Sequence, residues 1–139
     1  MIQFQISTRN SGRLRVVQVC IYDTPQELRA AGDRYSHRVE GPGHEKVGND
    51  VHGLAQAVDR EYYDGKRWRK MPDAGFIRLW KGALRTGIIT HECTHMAWAI
   101  YQQDVQRTIP DMKREETLCY LVGDLSARLV NRLYAKGLL

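Results

Sequence analysis

TGIITHECTHMAWAI, residues 86–100, decides how the chain is built, because it carries two patterns at once. Ile89, Cys93, Met96, Ala97 and Ile100 recur at i, i+4, i+7, i+8 and i+11, the spacing of one face of an α-helix. On the same helix His91 and His95, four residues apart, differ by only about 40° in direction and about 6 Å along the axis. They project roughly opposite the apolar stripe. The stripe therefore predicts a core-facing helix from about Thr86, and the histidines predict a second side on which two imidazoles reach one cation.

Outward from this helix the punctuation is clear. Pro110 predicts a turn and Asp111 an N-cap for a long last helix that runs to about Lys136 and stops at Gly137. Upstream, residues 75–80 and 51–58 read as strands flanking DREYYDGKRWRKMPD (59–73), a polar segment whose Asp64-Gly65 pair is a tight-turn signal. GPGHEKVGND (41–50) reads as an exposed glycine-rich loop. Thr24, Pro25 and Glu27 form a capping box, so a helix is expected from Thr24 to about His37 with Leu28, Ala31 and Tyr35 inward. RLRVVQVCIY (13–22) reads as a mostly buried strand. The expected architecture is one α+β domain: a short mixed or antiparallel sheet, the helix carrying HExxH, and a C-terminal helix beside it.

The 139 residues, 42% hydrophobic and 27% charged, suit a single compact domain with enough core to fold without a metal or disulfide staple. A metal would then be functional rather than structural. Cys20, Cys93 and Cys119 are an odd number, far apart, with no CxxC pair, which argues against a disulfide framework and a cysteine zinc cluster and makes a reducing cytoplasm the expectation. Cys93 and Cys119 both read as core thiols. No membrane span or leader pattern is visible. A net charge of +5 permits attraction to acidic partners without naming one.

The chemistry lies in His91-Glu92-Cys93-Thr94-His95. Neutral imidazoles suit zinc, and a catalytic zinc takes three protein ligands and keeps one position for water. A third ligand is expected from Glu115 or Glu116, 20 and 21 residues after His95. Glu116 is favoured because it shares a helix face with Tyr120 and Gly123, and a glycine would let the two helices approach closely. Glu92 would act as general base on water activated by the metal and pass the proton to the leaving amine. Tyr120 could stabilise an oxyanion and Asp124 could orient a ligating imidazole, against the simpler reading of both as ordinary helix-surface residues. His37, His44 and His52 show no ligand spacing, though His52 could approach the site.

In His91, Glu92, His95 and Glu116 the chain resembles the HExxH zinc peptidases of the gluzincin type. EETLCYLVGDL (115–125) is similar to a segment of small metallopeptidases encoded by phages and prophages, and the resemblance spans about residues 75–125. It implies a zincin-like fold, one zinc ion per chain and hydrolysis of peptide bonds. It also implies an edge strand just before the HExxH helix, here near Phe76 to Trp80, to which an extended peptide adds.

Lys66, Arg67, Trp68, Arg69 and Lys70 combine cations with an aromatic, a composition able to contact phosphates and stack on bases, or simply a solvated hairpin. The competing expectation is therefore a non-catalytic accessory protein that binds nucleic acid or protein, with zinc as a scaffold.

Overall fold

The computed structural model describes residues 1–108 and 111–139. The expected turn at Pro110 lies outside these residues, as does the side chain of Asp111 that was expected to cap the last helix. The domain is α+β, with a four-stranded mixed sheet, a two-stranded hairpin and three helices among the described residues. In chain order the elements are β1 (Ile2–Thr8), β2 (Arg15–Tyr22), α1 (Pro25–Glu40), β3 (Gly53–Ala57), β4 (Glu61–Tyr63), β5 (Trp68–Lys70), β6 (Asp73–Trp80), α2 (Thr86–Asp104) and α3 (Asp111–Ala135).

The capping box forms as expected. The Thr24 hydroxyl accepts from the Glu27 amide, the Glu27 carboxylate takes the Thr24 amide, and α1 ends at Gly41. β1 was not anticipated, yet it carries the simplest strand signal in the chain. Phe4, Ile6 and Thr8 are buried while Gln3 and Gln5 are exposed, a strict period of two.

The sheet order is β1-β2-β6-β3. β1 pairs antiparallel with β2, β2 parallel with β6, and β6 antiparallel with β3. One sheet face carries Phe4, Ile6, Val17, Val19, Ile21, Ile77 and Leu79, which join Ile89, Cys93, Met96, Ala97 and Ile100 of α2 and Leu121, Leu125, Leu129 and Leu133 of α3 in the main core. The other face carries Cys20, Tyr22, Leu54, Phe76 and Trp80 against Leu28 and Ala31 of α1. Among the described residues no helix is long and apolar enough to cross a membrane.

Two expectations are corrected. β6, expected at the edge near Phe76 to Trp80, lies inside the sheet with β2 and β3 hydrogen-bonded on its two sides, so its main-chain groups are already paired and β3 takes the edge. Gly123 is exposed, with nothing within 4 Å of the position a Cβ would take, so it does not mediate the approach of α2 and α3.

The close approach is instead at Gly75, whose φ is 135° and where a Cβ would overlap the Gln56 carbonyl on β3. Gly75→Ala is expected to cost about 2–4 kcal/mol through backbone strain and steric displacement of β3. Denaturant unfolding of the variant measures this, and a loss below about 1 kcal/mol would mean that β3 moves freely.

Candidate metal centre

α2 brings the two histidines together at the surface. Their Nε2 atoms are 3.1 Å apart, and their rings meet edge to face with centroids 4.7 Å apart. Two neutral imidazoles at that spacing either share one proton or converge on a cation. The chord between two nitrogens of a tetrahedral zinc site, with Zn–N about 2.0–2.1 Å, is about 3.3 Å, so the pair has the bite of such a site.

Glu92, between them in sequence, points elsewhere. It is only 6% exposed and lies against β3, where a Cβ on Gly53 would sit 2.8 Å from the Glu92 Cγ. The Ala55 main-chain amide donates to its carboxylate. Burial pushes the Glu92 carboxyl above its ordinary value, against the opposing pull of His91, His95 and the Ala55 amide. A carboxylate whose proton affinity is raised by desolvation, next to two potential metal ligands, has the character of a general base.

The β3 edge beside it is a usable template. Val58 N–H donates to the Ala74 carbonyl at 2.9 Å, and 58 and 74 continue the antiparallel register in which Gly53 faces Leu79. Bonded pairs alternate along such a ladder, so Leu54 and Gln56 bond to β6 while the amides and carbonyls of Gly53, Ala55 and Ala57 face outward. The Ala55–Glu92 hydrogen bond agrees with that direction. Among the described residues no strand pairs with this edge.

Glu116 does not gather with the two histidines as a ligand group among the described residues. It is exposed on α3, where the Tyr120 hydroxyl donates to its Oε1 at 3.1 Å and is in turn held above its ordinary pKa by that carboxylate. The physical reason is rotational. Cys93 lies against Ser126, which marks the α3 flank of α2, whereas Glu92 marks the β3 flank. At about 100° per residue His95 is about 60° from Glu92 and about 160° from Cys93, and His91 is about 100° and 160° away. Both imidazoles therefore lie nearer β3 than α3.

Glu115 is likewise exposed, and Asp124 is bonded to Arg128 at 2.9 Å rather than to an imidazole. Among the described residues no group of three His, Cys, Asp or Glu side chains gathers as a ligand set. His52 directly precedes the Gly53 that touches Glu92. Trp98, outside the motif, continues the histidine stripe at i+7 from His91, is 46% exposed and stacks on Tyr101 at 5.3 Å. Its signal was available as an aromatic at helical spacing on the polar side.

The basic run lies on the β4–β5 hairpin, exposed throughout. Arg69 is paired with Asp64 and Lys70 with Asp59, the exposed Trp68 ring packs against Tyr63 at 5.7 Å, and among the described residues the Lys66 and Arg67 side chains have no ion-pair partner. Its cationic character is thereby reduced by half.

The thiols are sorted by burial. Cys93 is fully buried and its pKa is pushed up to about 12 by desolvation; Cys20 is buried and raised for the same reason; Cys119, expected in the core, is exposed. We expect one fast-reacting thiol in the folded chain at pH 8, lost in Cys119→Ser and joined by two more on denaturation, as counted by thiol titration. Since folding raises the Cys93 pKa from 9.0, its contribution to stability is intact below about pH 9 and is lost as pH rises through about 12.

No protein family, curated protein or solved structure matches this chain.

Proposed function

We propose that the chain is a zinc-dependent peptidase of minimal gluzincin-like, zincin type. The observation that carries this reading is the His91–His95 pair, with Nε2 atoms 3.1 Å apart beside a buried glutamate of raised proton affinity. Zinc, when bound, supplies Lewis acidity, acidifying water and polarising a carbonyl oxygen.

The chain's own groups do the rest. An extended peptide adds to the free edge of β3 through the outward main-chain groups of Gly53 and Ala57, and the Trp98 ring offers an apolar surface along the histidine stripe. Glu92 takes the proton of the attacking water as it adds to the scissile carbonyl and returns it to the departing amine nitrogen. Glu116 is the third ligand that the resemblance implies. His52 is the competing donor, favoured by its chain position beside the Gly53–Glu92 contact on the flank to which the imidazoles turn.

Metal content separates these parts. Protein purified without a histidine tag is expected to hold about one zinc per chain by elemental mass spectrometry, and His91→Ala or His95→Ala to lose it. Retention in Glu116→Ala with loss in His52→Ala would move the third ligand to the residue before β3; the opposite result keeps it on α3. No zinc, and none taken up on addition, would overturn the reading, whereas bound zinc with no hydrolysis of any peptide would favour the accessory role.

A further inference from the structure

The sheet face opposite the histidines holds a charge that the hydrolytic reading does not use. Arg78 of β6 is only 6% exposed. Its Nε donates to Gln56 Oε1 and its Nη1 to the Tyr22 hydroxyl, each at 2.7 Å, and its guanidinium lies over the Phe76 ring at 4.5 Å. Both acceptors are neutral, and among the described residues no carboxylate is within ion-pair distance of it. A desolvated cation without a counter-charge is costly, and it binds an arriving anion more strongly than an exposed one does.

Arg78 lines a cavity of about 300 Å³ together with Tyr22, Tyr35, Arg34 and Arg38. Arg34 and Arg38 are one turn apart on α1, so like charges are held side by side, an arrangement that weakens a helix unless something offsets it. Arg38 lies over the Tyr35 ring at 5.5 Å and falls in the last turn, where a cation suits the helix dipole. Neither point accounts for Arg34, which has no ion-pair or hydrogen-bond partner among the described residues. Three guanidinium groups thus line a cavity whose described lining residues include no acid.

We propose that this cavity is a binding site for the oxyanion of a small molecule, a phosphoryl or carboxylate group held by Arg34, Arg38 and Arg78, with its body against the tyrosine rings. Guanidinium forks match both oxyanions in pairs of parallel hydrogen bonds, and the volume is at the lower end of ligand pockets. The site is independent of the metal centre.

Calorimetric titration of the full chain with phenyl phosphate, benzoate and inorganic phosphate tests it, beside the Arg34→Ala/Arg38→Ala variant, whose changes fall on exposed positions. Saturable binding that weakens at least tenfold in the variant, at an unchanged melting temperature, is expected. Preference for phenyl phosphate assigns a phosphoryl ligand, preference for benzoate a carboxylate, and comparable binding of inorganic phosphate a site that reads the oxyanion alone. No saturable binding of any of the three, or binding unaffected by loss of both arginines, would overturn the proposal.

Discussion

Glu92→Gln is expected to leave zinc binding intact and to lower peptide hydrolysis by about 10²–10⁴-fold, the usual contribution of a positioned general base. The carboxamide keeps the shape, and its oxygen can still accept from the Ala55 amide, so the side chain stays packed against Gly53. What it loses is the ability to take a proton. The same change removes a carboxylate that burial disfavours, so thermal stability should hold or rise. These two readouts together distinguish a base from a structural group. Unchanged turnover with intact zinc would sink the assigned role, and a fall in melting temperature of many degrees would mark Glu92 as part of the scaffold.

Asp104→Ala is expected to cost about 3–5 kcal/mol, the penalty for leaving buried charge without its partner. The Asp104 side chain is 4% exposed, and its Oδ1 accepts from Arg13 Nε at 3.0 Å and from Arg15 Nη1 at 2.9 Å. Its Oδ2 accepts from the Ser11 hydroxyl at 2.7 Å. The Arg15 side chain is 0% exposed, and burial pulls its pKa down while Asp104 supports the charged form. Truncation therefore strands one fully buried cation and one partly buried one, and releases the end of α2 from β2. The urea midpoint of the variant measures the effect. A paired replacement, Arg15→Met with Asp104→Leu, should recover much of the loss, since removing both charges also removes their desolvation cost. Failure to recover would mean that the Arg13 pair or hydrogen bonding to Ser11 and Gln103, rather than compensation of Arg15, holds this corner.

Both predictions concern side chains that a linear reading treats unequally. Glu92 stood out because HExxH names its neighbours, and its position on the helix followed from 3.6 residues per turn. Asp104 did not stand out at all. An acid in the last turn of a helix opposes the dipole, and its partners lie about ninety residues away in sequence. The Arg78 cavity was invisible for the same reason, since its lining comes from β2, α1 and β6.

Local pattern was enough for α1, its Thr24–Glu27 box, the two-sided character of α2 and the course of the last helix, because capping and helical periodicity act over three or four residues. Strand pairing does not. Residues 75–80 are expected at an edge but lie inside the sheet, since whether a strand is flanked on one side or two depends on partners brought from positions 16–22 and 53–57.

Residues 86–100 alone place two imidazoles on one helix face, a glutamate between them and an apolar stripe turned the other way. That β3 supplies a free edge, that Glu92 is buried beside it and that the histidines turn toward the β3 flank of α2 emerge from the packing of sheet and helices. Helix geometry sets the angle between residues of one element. The neighbour each angle meets is set by how sheet and helices pack to bury the core.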